Sequence, residues 1–234
     1  MNANHLLRAL PAADYSRLEP LLHEVDLKHH DVLIEADEPF DHVYFPETCM
    51  VSIVTLLDNG DIIEAATVGR EGVVGLPVFL GLSTVNTTAI CQMSGRALRM
   101  STPDFRHAIQ SIPVLHKALG LYTNALIAML GQGGACNSSH TVEERLARWL
   151  LTISDRVGGD RLAITHEFLS QMLGVQRPTV TLALGALEDA GMIVNRRANI
   201  EIVDREEVLD AACECYDIIR RLYEETWKQT SVSH

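Results

Sequence analysis

The hydrophobic period of this chain changes once, near Thr102, and that change limits the fold more than any other feature. Before it, apolar residues come in short alternating or β-branched runs: Val32-Leu33-Ile34, Val43-Tyr44-Phe45, Met50 to Leu56, Ile62 to Val68, Thr88 to Cys91 and Ala97 to Met100. A period of two sends alternate side chains to opposite faces of an extended backbone, so these runs predict strands. Asp58-Asn59-Gly60-Asp61 is the expected turn between two of them, because Asn-Gly accepts the positive φ of a tight hairpin. With a short helix over Leu6 to Leu22 in front, about eight strands over residues 28–100 imply a β-roll or jelly roll.

After Thr102 the period is helical. Leu115, Leu119, Tyr122, Leu126, Met129, Gly133 and Cys136 recur at alternating spacings of four and three, which is a heptad seam. Two readings follow. The seam is buried against a second copy of the chain, with Leu115, Leu119, Tyr122, Leu126, Met129 and Gly133 as the dimer interface, or the helix packs on its own domain. The stretch from Gly133 to Ser139 reads as a hinge, with Ser139 or Thr141 placed to cap the next helix. That helix carries Val142, Leu146, Trp149, Leu150 and Ile153 on one face, and Gly158-Gly159-Asp160 ends it.

The segment THEFLSQMLGVQRPTVTLALGALEDAGMI (165–193) carries the chemistry. Thr165 is a helix cap, Phe168, Leu169, Met172 and Leu173 form an inner face, Gly174 supplies a sharp turn, and Pro178 opens a second helix where its missing N–H costs nothing. That helix buries Val180, Leu184 and Leu187. It leaves Gln176, Arg177, Thr179, Thr181 and Leu182 outward at its N-terminal end, the end a helix-turn-helix inserts into the major groove. Arg177 is the expected guanine reader, Thr179 and Thr181 the expected contacts to a thymine methyl or a phosphate, and Gln176 to an adenine edge or a phosphate. Thr165, His166 and Ser170 on the first helix complete the predicted DNA-binding set. Residues 193–202 read as two short strands around a basic turn, with Arg196 and Arg197 as a wing on the phosphate backbone.

Charge supports a local rather than a bulk contact with nucleic acid. The net charge is −12, with 19 Lys and Arg against 31 Asp and Glu. Residues 1–140 hold 8 basic against 15 acidic side chains and residues 204–234 hold 4 against 8, whereas residues 141–203 are nearly balanced at 7 against 8. No apolar run approaches the roughly 18 residues that span a bilayer, and the charged, proline-containing start does not resemble a secretory signal; a cytoplasmic location away from membranes is expected. The 5 cysteines show no CxxC spacing, and Cys213 and Cys215, two apart on a predicted helix over residues 204–228, are expected to face different ways. No metal site and no cofactor are predicted.

Taken together, DVLIEADEPFDHVYFP (31–46), VGREGVVGLPVFLG (68–81), the long helix and the helix-turn-helix ending in LEDAGMI (187–193) resemble the Crp/Fnr family of bacterial regulators. The resemblance implies an α+β chain: a cyclic-nucleotide-binding-like β-roll (a double-stranded β-helix) over 1–110, a dimerisation helix and hinge over 111–138, and a winged helix-turn-helix over 139–234. It implies a homodimer on palindromic double-stranded DNA, with RNA polymerase as a further partner. Family members that bind cyclic AMP use a Gly-Glu pair on the ribose and an Arg-Ser pair on the cyclic phosphate. The matching positions here are Gly75, Leu76, Thr87 and Thr88, so both charged contacts are missing and tight cyclic AMP binding is not expected. The recognition helix departs too, with Pro178 and Leu182 where an acidic residue and a second arginine are common.

Other function classes find less support. The glycines from Gly69 to Gly75 lie between predicted strands, without the helix a phosphate loop needs, and no catalytic constellation stands out. A ligand-responsive module that contacts protein rather than DNA is the remaining alternative.

Overall fold

The computed structural model describes residues 2–56 and 62–231. The predicted turn at Asp58-Asn59-Gly60-Asp61 lies outside the described residues. The chain forms two compact units, one from Met1–Ala128 with Leu222–His234 and one from Met129–Arg221.

In the first unit the single N-terminal helix expected from the sequence is broken into α1 (His5–Arg8), α2 (Ala12–Leu18) and a 3₁₀ turn (Glu19–Leu21). Pro11 and Pro20 account for the breaks, since each removes an N–H donor from the helical ladder. Asn4 fastens this arm to the roll: fully buried, it donates from Nδ2 to the Pro46 and Gly72 carbonyls at 2.9 and 2.8 Å and accepts from the Leu7 N–H.

The roll consists of β1 (His23–Leu27), β2 (Val32–Ile34), β3 (His42–Pro46), β4 (Met50–Leu56), β5 (Ile62–Val68), β6 (Thr88–Met93) and β7 (Gly95–Ser101). They pair antiparallel in two sheets, β1-β7-β3 and β2-β6-β4-β5. The α+β architecture with an N-terminal jelly roll is the one expected. Strand β1 escaped the sequence reading because it is largely exposed; of its residues only Leu27 is buried. A single helical turn, α3 (Leu76–Phe79), lies between β5 and β6.

At the change of period, Ser101 caps α4 (Thr102–Ser111) by accepting from the Asp104 N–H. Helix α5 (Pro113–Ser139) follows. Among the described residues it is the one helix long and apolar enough to cross a bilayer, 27 residues with an 18-residue stretch at a mean hydropathy of 1.2, which amends the expectation that no stretch approaches that length. Its Leu115, Leu119 and Tyr122 are nevertheless fully buried within the chain. The Tyr122 ring lies over Gly72, where any Cβ would fall 2.0 Å from its oxygen, and its centroid is 6.2 Å from that of Trp227 and 6.3 Å from that of Tyr223. These three positions of the predicted dimer seam are therefore corrected: with no surface left to offer, they pack on their own unit, the second of the two readings above. Of the others, Leu126, Met129 and Gly133 are half-buried, whereas Ile127 and Leu130 are the exposed apolar residues nearby, at 65% and 45%. The predicted hinge is also corrected. Residues 133–139 continue α5, and the helix ends only before His140.

In the second unit, α6 (Val142–Val157) opens with a capping box: Thr141 Oγ1 accepts from the Glu144 N–H, and the Glu144 carboxylate accepts from the Thr141 N–H. Strand β8 (Arg161–Leu162), α7 (His166–Leu173), α8 (Arg177–Asp189), β9 (Ile193–Arg196) and β10 (Asn199–Ile202) complete a winged helix-turn-helix whose small sheet has the order β8-β10-β9. Leu146, Leu150, Ile153, Leu169, Val180, Leu184 and Ile200 form its core, all at 0% exposure, and each such side chain contributes about 1.5–3 kcal/mol by leaving water. Beyond it, the helix expected over 204–228 is two helices, α9 (Arg205–Ala211) and α10 (Cys215–Ser231), with Cys213 in the non-helical link. The premise that Cys213 and Cys215 diverge on one helix is thereby overturned. Arg205 holds this corner, pairing with Asp155 and with Asp160 at 3.3 Å and donating to Tyr216 Oη at 3.2 Å.

Candidate nucleic-acid interface

The turn between α7 and α8 rests on backbone geometry that few residues adopt. Gly174 sits at φ 63°, left-handed space that an L side chain enters at about 1–2 kcal/mol. Pro178 occupies the first turn of α8, where no hydrogen bond is lost. Val180, Ala183, Leu184 and Leu187 then bury one face of α8. Its opposite face begins with Gln176, Arg177, Thr179, Thr181 and Leu182, all exposed, Leu182 at 75%. An arginine, a glutamine and threonines are thus held on a helix whose position the core sets.

His166 links three elements. Its ring nitrogens lie 3.1 Å from Thr181 Oγ1 on α8 and 3.3 Å from Asn195 Oδ1 on β9. Thr181 also donates to the Arg177 carbonyl, so its hydroxyl already has partners within the protein and its methyl is what it leaves to offer. Glu188 accepts from the Asn195 N–H at 2.8 Å, which adds a second tie between α8 and the hairpin. Neither tie was visible in the sequence: Glu188 lies in LEDAGMI, but its pairing with Asn195 follows from the register of the hairpin.

At the hairpin tip Arg196 and Arg197 are both exposed, on a turn in which Ala198 takes φ 56°. Arg196 pairs across with Asn199, leaving Arg197 and Ala198 as the two-residue connection. Thr165 is exposed and caps α7, accepting from the Phe168 N–H at 3.1 Å. Ser170 is a correction. It is 9% exposed and its hydroxyl donates to the Glu167 carbonyl at 2.7 Å, so it belongs to the packed side of α7 and not to the predicted DNA-facing set.

The four predicted effector positions lie around a left-handed glycine. Gly75 lies at φ 97°, and a Cβ there would stand 2.8 Å from a methyl of Val43. Leu76 is buried at 7%, and Thr87 and Thr88 are half-buried at the start of β6. No guanidinium or carboxylate occupies any of the four positions.

The family profile of the Crp-like helix-turn-helix domain matches residues 144–210, and that of the cyclic nucleotide-binding domain matches residues 24–111. The chain belongs to the Crp/Fnr family of transcription regulators. Solved structures of similar fold include FixK2 from Bradyrhizobium japonicum, at 19% identity and a TM-score of 0.69, covering 82% of this chain and 98% of that one. They also include a CRP/FNR-family transcriptional regulator from Thermus thermophilus, at 20% identity and a TM-score of 0.62, covering 81% and 98%. The c-di-GMP responsive regulator CLP of Xanthomonas campestris is similar at 16% identity and a TM-score of 0.64, covering 82% and 99%. No curated protein matches the chain. In this Crp/Fnr regulator the helix-turn-helix of 165–189 is the DNA-binding element, and the family is one of regulators rather than enzymes.

Proposed function

We propose that this Crp/Fnr regulator acts in the cytoplasm as a homodimer on a palindromic promoter site, reading it with the N-terminal end of α8 and clamping the phosphate backbone with the hairpin of β9 and β10. The observation that carries the reading is the pairing of a buried apolar face on α8 with an exposed Gln176, Arg177, Thr179 and Leu182, beside the exposed Arg196 and Arg197. Arg177 takes a guanine through O6 and N7, Gln176 an adenine edge or a phosphate, and Thr179, Leu182 and the Thr181 methyl make apolar contact with thymine. Arg196 and Arg197 position the protein without reading sequence. Dimerisation uses the exposed Ile127 and Leu130 of α5 with the half-buried Leu126, Met129 and Gly133 beside them.

Cyclic AMP is not the effector in this reading. A cyclic phosphate buried against Leu76, Thr87 and Thr88 would lack the charge-assisted hydrogen bonds that offset its desolvation. RNA polymerase is the further partner in promoter control.

The test is selection of bound duplexes from a random library with the purified full chain and no added ligand. A palindrome with half-sites one helical turn apart is the expected enrichment. Enrichment of a single half-site would remove the dimer from the proposal, and salt-independent or absent binding would remove DNA reading itself.

A further inference from the structure

Four ligand-forming side chains that the DNA-reading surface does not use meet in the second unit. Cys136 stands in the last turn of α5, His140 just past its end, Cys213 in the link between α9 and α10, and Cys215 at the start of α10. One ligand atom from each lies within 4.8 Å of all the others. Cys136 Sγ and Cys213 Sγ are 3.5 Å apart, and Cys215 Sγ is 3.7 Å from His140 Nδ1. Three thiols and an imidazole with these separations have the size of a tetrahedron around zinc: at a Zn–S distance of about 2.3 Å the sulfur–sulfur edge is about 3.8 Å.

We propose that Cys136, His140, Cys213 and Cys215 form a Cys₃His zinc site that clips the end of α5 to the start of α10. The surroundings are those of a metal–thiolate centre. His140 Nε2 is 3.0 Å from the Glu214 carboxylate, which fixes the tautomer with the proton on Nε2 and leaves the Nδ1 lone pair aimed at the cysteines. Gln132 Nε2 donates to Cys215 Sγ at 3.0 Å, a hydrogen bond that a thiolate accepts better than a thiol. Arg145 and Arg148, at 7% and 4% exposure, lie beside the cluster, and the Nε–H of each has no hydrogen-bond partner among the described residues. Arg145 donates to the Leu173 carbonyl and Arg148 stacks over Trp149, contacts that bring no negative charge to either guanidinium. Three thiolates around Zn²⁺ carry a net charge of minus one and supply the counter-charge.

Burial first, and the neighbouring cysteines after it, push the free thiol of Cys213 up to about 12, and burial raises that of Cys136. Zinc binding replaces the S–H bond of a cysteine with a sulfur–zinc bond, the proton passing to solvent, with no change of oxidation state. The other buried thiols, Cys49 and Cys91, sit with Leu27 and Ala97 in an apolar cluster of the roll and take no part.

The experiment is elemental analysis of the full chain purified under reductant, with a Co²⁺ exchange to record thiolate charge-transfer bands. One zinc per chain is expected, retained in a Cys49→Ser, Cys91→Ser variant and lost in Cys136→Ser and Cys215→Ser. Because those two variants remove buried groups, Glu214→Gln gives an independent reading on an exposed carboxylate: zinc affinity should fall about 10-fold with the circular dichroism spectrum unchanged. A chain that stays metal-free when titrated with Zn²⁺ under reductant, its thiols still fully reactive toward alkylation, would overturn the site. So would zinc that survives loss of both Cys136 and Cys215. A Cys136–Cys213 disulfide formed in air by chain that binds no zinc would replace the site with a redox pair.

Discussion

The start of α8 and the cassette around Gly75 make an instructive pair. Both follow a glycine held in left-handed backbone, Gly174 at φ 63° and Gly75 at φ 97°, and both precede a helix. At α8 the glycine is followed by the half-buried Val175 and then by polar, outward residues at the helix start: Gln176, Arg177, Thr179. At the cassette the residue after it is Leu76, turned into the core, and the partner positions Thr87 and Thr88 bear only hydroxyls. A left-handed glycine can thus stand before residues of opposite character, and backbone shape alone is a weak guide to what binds. Side-chain identity and exposure separate the two regions.

The comparison breaks most severely if the buried face of α8 is disturbed. Leu184 is fully buried, so Leu184→Ala should cost about 2–5 kcal/mol of stability, read as a lower midpoint in urea with the slope unchanged. Loss of operator binding should accompany it only where the domain is unfolded. A cost below about 1 kcal/mol would mean that α8 is not held by its core, and that the orientation of Arg177 is less determined than argued.

Arg177→Ala tests the other face. The side chain is exposed and its guanidinium has no partner among the described residues, so the fold should be indifferent while discrimination at one base pair falls by about 1–3 kcal/mol, roughly 5- to 150-fold. A binding titration on the selected operator and a single-base variant measures this directly. Equal loss on both duplexes would reassign Arg177 to the phosphate backbone.

The two regions also differ in how far they could be read in advance. Gly174, Pro178 and the apolar spacing of Val180, Leu184 and Leu187 are local signals, and local signals sufficed for the helix-turn-helix. Missing charges at Leu76 and Thr87 were equally legible once the resemblance placed them. The heptad on α5 misled because its first three members are fully buried within the chain, Tyr122 against Gly72, Tyr223 and Trp227, partners far away in sequence. Ser170 misled because helical spacing cannot tell a half-exposed rim from a packed flank. The cysteine cluster was missed for a related reason: Cys136 and His140, four apart at a helix end, were a usable signal, but Cys213 and Cys215 looked divergent only on the assumption of a continuous helix. Where a helix breaks is set by tertiary packing, here by Arg205 with Asp155, Asp160 and Tyr216.

A smaller effect sharpens the wing side of the comparison. Ala198 takes φ 56° at the hairpin tip, a conformation glycine enters freely and alanine does not. Ala198→Gly should therefore stabilise the domain, by up to about 1 kcal/mol less the added entropy of the unfolded chain, seen as a rise in Tm with operator selectivity unchanged. A fall in Tm would mean that the turn does not hold the left-handed conformation in solution.

The smallest expected effect is none at all, and it tests the cassette. A ligand present at about 100 times its Kd stabilises the state it binds by about 2.7 kcal/mol, a shift that thermal unfolding resolves easily for a chain of this size. With Leu76 in place of the ribose-binding carboxylate and Thr87 in place of the phosphate-binding guanidinium, cyclic AMP at millimolar concentration should leave Tm where it was. A rise in Tm would show that Thr87, Thr88 and the backbone N–H groups around the Gly75 turn hold a cyclic phosphate without a guanidinium, and the contrast drawn between the two glycine turns would fail on its chemical side while its geometric side stood. Repeating the scan with Leu76→Glu then locates the deficit: the introduced carboxylate, forced into a position only 7% exposed, should lower Tm, and recovery of part of that loss on adding cyclic AMP would place the nucleotide at this turn.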